Sequence, residues 1–135
     1  MTLRPTARRP GPGIASRVPE GEAPPEVLAP GDVVWVQPEI VVGREQAGRR
    51  PALVVAGTGY LQTVDTLALV VPITTVDRDW PNHIEVFGAE LEQRSWAMSE
   101  QIRTISRERV VGRAGHANDA TLAAVRSWLA DFLDL

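Results

Sequence analysis

Residues 51–74 read PALVVAGTGYLQTVDTLALVVPIT, in which two continuous apolar runs, PALVVAG and LALVVPIT, flank a GTGY turn and a few polar residues. Runs this short, rich in Val and Leu and bounded by Gly and Pro, read as central strands rather than helices. Central strands need neighbours, and the flanking sequence supplies them. DVVWVQ from Asp32 is a short β-branched strand stopped by Pro38, and NHIEVF from Asn82 alternates. SWAMSEQIRTI from Ser95 follows a hairpin-like FGAELEQR. That makes about five strands. The end of the chain differs, because NDATLAAVRSWLADFLDL opens on a capping Asn118 or Asp119 and places Leu122, Val125, Leu129, Phe132 and Leu133 at helical spacing. Short strands and one terminal helix cannot make a doubly wound sheet. The expected fold is therefore mainly β (α+β), a small, strongly curved antiparallel barrel covered by a C-terminal α-helix.

The chain has 135 residues, the size of one ordinary domain, and 44% of them are hydrophobic, enough for a real core. It contains no cysteine, which removes disulfides, thiolate chemistry and Cys-based zinc sites. No apolar run approaches the roughly 20 residues of a membrane span, and MTLRPTARRPGPG lacks the apolar segment of a secretory signal. A cytoplasmic setting without membrane contact is expected. Residues 1–30 carry seven of the 11 prolines with little apolar periodicity. Such a segment cannot offset its ordering entropy, so residues 1–30 are expected to form a mobile tail and 31–135 the folded domain.

The formal net charge of −3 argues against a broad basic surface. The basic residues are all arginine, and seven fall in two segments: Arg44, Arg49 and Arg50, then Arg103, Arg107, Arg109 and Arg113. Guanidinium grips two phosphate oxygens at once, so an acidic protein can still hold a local anion site.

In chain order, GDVVWV (31–36), VVGREQAGRRPALVV (41–55), VPITT (71–75), PNHIEV (81–86) and WAMSEQIRTISRERVVGRAG (96–115) precede the final helix. This ordered set resembles the MazF/PemK family of toxin endoribonucleases from Gly31 to the C-terminus. The resemblance implies an SH3-like barrel of the CcdB/PemK toxin type. It also implies a homodimer that cleaves single-stranded RNA at short motifs with no metal or other cofactor, and a cognate MazE-like antitoxin whose disordered segment covers the site.

The family's active pair, an arginine before the proline of the second strand and a threonine ending the third, falls on Arg50 and Thr74, with Thr75 directly adjoining. The loop Gly43 to Gly48, with Glu45 and Gln46, matches the family's mobile segment beside the site, although Arg44 stands where a small Ser is common. Cleavage by the adjacent 2′-OH requires that hydroxyl deprotonated, a doubly charged phosphorane-like state stabilised and the 5′-oxygen protonated. Arg50 suits the second task, and Thr74 can add a neutral donor. Arginine is a poor base near neutral pH, so Glu45, the carboxylate of the motif, is the candidate helper. Arg49, Arg44, Gln46, Gly43 and Thr75 are then expected to meet RNA. Gln101 and Arg103 lie in a segment the family uses beside its RNA groove, although a surface strand would explain both equally well.

Without the resemblance, Arg49 and Arg50 would read as a solvated loop end, and Thr74 as an ordinary strand residue. His83 and His116 are separated and lack convergent carboxylates, so structural or solvent roles are expected and no metal site. Trp35 and Trp96 lie in expected strands and should pack in the core, whereas Trp80, in the loop TVDRDWP, is placed for base stacking or antitoxin contact. Because fold does not fix function, a non-enzymatic CcdB-like gyrase poison and an inactive SH3-like binding module stand as alternatives. The FLDL terminus lacks the aromatic ending by which gyrase poisons of that type are recognised.

Overall fold

The computed structural model describes residues 27–38 and 48–135. Seven strands, all paired antiparallel, carry the fold: β1 (Asp32–Val36), β2 (Arg50–Val54), β3 (Leu67–Thr74), β4 (His83–Glu85), β5 (Trp96–Met98), β6 (Arg103–Ser106) and β7 (Val110–His116). A short helix α1 (Thr58–Thr63) joins β2 to β3, and α2 (Asp119–Phe132) ends the chain. The order across the sheet is β4-β5-β3-β2-β1-β7, with β6 also on β3.

The apolar runs sit where their composition requires, on strands covered on both faces. Val34, Val36, Ala52, Val54, Ala68, Val70 and Ile105 pack on one face with Leu28 and Leu61. Val33, Leu53, Val71, Ile73 and Ala97 pack on the other with Val125 of α2. Strands presenting apolar groups on both sides cannot lie at a solvated edge, so β1, β2 and β3 form the middle of the sheet.

Several expectations are corrected. GTGY and the residues after it form α1, with Gly57 at its N-cap, rather than a bare turn, because burial of Leu61 on the sheet rewards a helical turn there. SWAMSEQIRTI is two strands, β5 and β6, separated by a 3₁₀ turn at Ser99–Gln101. β7 was hidden in the sequence by Gly112, Arg113 and Gly115, which interrupt its alternation. The antiparallel β architecture and terminal helix are as expected, but the ladder does not close into a continuous barrel among the described residues. One isolated bridge, Ala89 to Gly115, links the segment after β4 to β7.

Helix α2 is capped by Asn118, whose side chain accepts from the Thr121 N–H at 2.9 Å. Val125 is fully buried, but Phe132 is 48% and Leu133 64% exposed. Helical spacing predicts a stripe, and the stripe outlasts the sheet it covers. Trp35 and Trp96 pack inward as expected, Trp35 against the α2 face and Trp96 with 9% of its surface exposed. The ordered packing begins earlier than Gly31: Leu28 is buried, and the Ala29 N–H donates to Asp32 Oδ2 at 2.9 Å.

Candidate active site

Antiparallel pairing brings the end of β1, the start of β2 and the end of β3 to one edge of the molecule. Val36 pairs with Arg50, and Ala52 pairs with Pro72. The β2–β3 register ends at Ala52–Pro72, two residues short of Arg50 on β2 and of Thr74 on β3, and both of these residues line one groove. Strand alternation puts Arg50 on the face of Ala52 and Val54, and Thr74 on the face of Val70 and Ala68, which is one face. By this alternation Thr74 shares Arg50's side of the sheet, and Thr75, which follows the strand, lines the groove as well.

A groove of ≈ 620 Å³ opens there, lined by Arg50, Thr74, Thr75, Arg78, Met98, Gln101, Arg103 and Arg109 over a floor that includes Pro51, Pro72 and Ile105. Among the described residues four guanidinium groups and no carboxylate line it, on a chain of net charge −3. Arg50, Arg78 and Arg103 make no hydrogen bond or ion pair among the described residues, whereas Arg109 Nε donates to the Gln37 carbonyl at 2.8 Å. Concentrated positive charge in a concave, partly apolar site attracts an anion more strongly than the net charge suggests. Thr74 Oγ1 accepts from the Val76 N–H at 3.1 Å, which fixes the oxygen and leaves its own proton to donate.

The groove forks along β3. Residues Leu67 to Val70 pair with β6, whereas Ile73 and Thr74 pair with β5. Pro72, with no N–H to continue a ladder, lies at the change of partner, and the turn Ser99–Gln101 fills the fork. This is how Gln101 and Arg103 reach the same groove as Arg50.

The other arginines are committed elsewhere. Arg107 donates to the carbonyls of Leu61 (2.6 Å), Val64 (3.1 Å) and Leu67 (3.0 Å), and burial lowers its pKa. Arg113 and His116 both approach Asp32 Oδ1, at 3.2 and 3.1 Å, and Asp32 is only 1% exposed. That cluster ties β7 to the start of β1, about 13 Å of strand away from Val36. Arg49 lies over the Trp35 ring and is not among the groove-lining residues. Trp80 is half exposed and packs on His83, 4.8 Å between ring centroids, beside the groove rather than in its wall. Gly43, Arg44, Glu45 and Gln46 lie outside the described residues. Sequence reasoning missed Arg78 as a groove residue; its position three residues after Thr75, in the loop leaving β3, was the available signal.

Among the described residues no group of three or more His, Cys, Asp or Glu is placed to hold a metal ion, and no helix is long and apolar enough to cross a membrane.

Comparison with known proteins places this geometry in a family. The profile described as "PemK-like, MazF-like toxin of type II toxin-antitoxin system" matches residues 29–133. The endoribonuclease toxin MazF of Escherichia coli is 33% identical over 76 residues, which cover 56% of this chain and 66% of that protein, slightly under two thirds of its length. The endoribonuclease EndoA of Bacillus subtilis is 31% identical over 104 residues, covering 73% of this chain and 88% of that one. Crystal structures from Deinococcus radiodurans agree. MazF alone aligns with TM-score 0.66 at 28% identity over 82% of this chain and 100% of that chain. MazF in a MazE-MazF structure aligns with TM-score 0.69 at 26% identity, over 82% of this chain and 99% of that chain. With a profile spanning almost all of the described fold, this chain belongs to the PemK-like, MazF-like toxins of type II toxin–antitoxin systems.

Proposed function

We propose that this toxin is a sequence-specific endoribonuclease that cleaves single-stranded RNA through the neighbouring 2′-OH, without a metal cofactor, as a cytoplasmic homodimer. The observation that carries this reading is the groove that Arg50 and Thr74 line together with three further arginines and, among the described residues, no carboxylate. Its relatives in Escherichia coli and Bacillus subtilis are named endoribonucleases.

In the proposed step the 2′-oxygen, its proton passed to a base, attacks phosphorus, the P–O5′ bond breaks, and the leaving 5′-oxygen takes a proton from water, so that a 2′,3′-cyclic phosphate and a 5′-hydroxyl are left. Negative charge accumulates on the two non-bridging oxygens. A guanidinium supplies two parallel donors to such a pair, and it stays charged throughout. Thr74, its oxygen held by the Val76 N–H, adds a third donor from the facing strand. Arg78, Arg103 and Arg109 extend the positive field along the groove and would hold flanking phosphates. Glu45 remains the proposed partner for the 2′-OH proton.

Structures of relatives contain MazE bound to MazF. A cognate antitoxin is accordingly proposed here, with a segment lying in the groove and excluding RNA from Arg50.

The test is incubation of the purified full chain with a long RNA in EDTA, followed by mapping of the cut ends. Discrete cuts bearing 5′-hydroxyls are expected, at the rate seen without EDTA. No cuts under any condition would return the chain to the non-enzymatic alternatives, and activity restored only by magnesium would overturn the metal-free mechanism.

A further inference from the structure

The turn that fills the fork in the sheet holds a carboxylate ringed by donors. Glu100 Oε1 accepts from Asn82 Nδ2 at 2.7 Å, and His83 Nε2 lies 3.0 Å from both carboxylate oxygens. Ser99 Oγ donates to the Asn82 carbonyl at 2.7 Å, tying the turn to the start of β4. The His83 side chain is 1% exposed and its Nδ1 is buried without a partner. A carboxylate only accepts, so the imidazole serves through Nε2 as a donor to Glu100.

This clamp decides which way the next residue faces. Gln101 Nε2 lies 3.4 Å from Glu100 Oε2 and 3.5 Å from Met98 Sδ. An ionised carboxylate and a thioether only accept, so the amide must turn its NH₂ toward them. Its Oε1 is the end left over, on a residue that lines the groove beside Met98 and Arg103. An unrestrained glutamine offers donor or acceptor by rotating its amide and discriminates little. A restrained one offers a single choice.

We infer that Gln101 is a specificity-determining residue whose amide is oriented by the Asn82–His83–Glu100 clamp, so that it presents an acceptor and selects an RNA base with an N–H donor on its Watson–Crick edge. Glu100 is then a positioning residue, acting on RNA only through Gln101. This rests on the RNA-cleaving reading above, and deepens it.

The experiment uses the full chain and short RNAs carrying the mapped cleavage word, with the donor removed at one position at a time: purine for adenine, 2-pyrimidinone for cytosine, inosine (lacking N2–H) and N1-methylguanine (lacking N1–H) in turn for guanine, and N3-methyluracil for uracil. At one position the wild-type protein should lose roughly tenfold or more in kcat/KM, the scale of one base-edge contact. In Gln101→Ala that penalty should shrink to about twofold or less, because the two changes remove the same hydrogen bond. Glu100→Gln should shrink it as well although Gln101 is retained, since an amide can face Gln101 with either a donor or an acceptor. A role for Glu100 in folding alone would lower every oligonucleotide equally and leave the ratio intact. If the wild-type protein cuts the word but no position shows a Gln101-dependent penalty, or if Glu100→Gln keeps the full penalty, the inference fails and the ribonuclease reading stands. If the wild-type protein makes no cuts, both fall.

Discussion

Arg49 and Trp35 form a cation–π pair, the guanidinium carbon 4.9 Å from the ring centroid. Trp35 packs toward the α2 face of the sheet, so Arg49 is turned away from the groove that Arg50, the next residue, lines. Two adjacent arginines thereby receive unlike surroundings: one stacks on an aromatic ring, and the other is free to meet an anion. Pro51 biases Arg50 toward extended backbone and stiffens the strand from which its side chain departs.

The first prediction separates the two. Arg50→Ala should lower single-turnover cleavage by about a hundredfold or more, the scale of one lost oxyanion donor, with little change in stability. Arg50→Lys should recover only part of the rate, because a point charge cannot grip two oxygens. Arg49→Ala should cost far less rate and about 0.5–1 kcal/mol of stability through the lost stacking. A folded Arg50→Ala protein that cuts RNA at the wild-type rate would remove Arg50 from the chemistry.

A second prediction contrasts arginines from the same short segment. Arg107→Ala strips a charged donor from three carbonyls and should destabilise the fold by about 2 kcal/mol in urea titration, while cleavage per folded molecule persists. Arg103→Ala should leave stability nearly unchanged. Its effect belongs in the salt dependence of RNA binding, whose log–log slope should fall by about one. Equal effects of the two substitutions on both measurements would contradict this division.

The third concerns pH. Burial pushes the Glu100 carboxyl upward, but hydrogen bonds from His83, its own backbone N–H and Gln101, with the field of His83, leave it below the ordinary carboxylate value. A lowered folded-state pKa stabilises the fold above the unfolded value of about 4.3, and that contribution is lost as pH falls through the folded value. Glu100→Gln should therefore melt below wild type near pH 7, and the gap should close below about pH 4. Melting curves from pH 7 to 3 decide it; a gap that widens on acidification would reverse the sign.

The fourth concerns the N-terminus. Because Leu28 is 6% exposed within the core and the Ala29 N–H donates to Asp32 Oδ2, a chain beginning at Val27 should melt as the full chain does. One beginning at Gly31 should be less stable by about 1.5–3 kcal/mol, the value of burying one leucine. Identical melts for both would place the boundary at Gly31 after all.

Finally, sedimentation at micromolar concentration should give about twice the chain mass if the toxin is a symmetric dimer. A persistent monomer that still cuts RNA would show that one chain carries a complete site.

Much of this protein was legible in one dimension. The runs at 51–57 and 67–74 announced central strands because only a strand covered on both faces is apolar without alternation, and Asn118 marked the helix start because its side chain can replace a missing backbone partner. The ordered motifs pointed to Arg50 and Thr74, and the pairing of β2 with β3 brings the two strand ends to one groove, which Thr75 lines as well. Other features were set by contacts between distant segments. β7 is a strand because β1 offers it a ladder, despite two glycines that weaken its local signal. Clustering in sequence could not distinguish the arginines that line the groove from Arg107, which is held by carbonyls 40 or more residues away, or from Arg113, bound to Asp32. Glu100 takes its partners Asn82 and His83 from 17 or more residues away, a separation at which no local pattern in the sequence could announce them. Periodicity reports which face of an element is apolar, whereas a charge takes its role from the partners that folding brings beside it, and those partners are chosen in three dimensions.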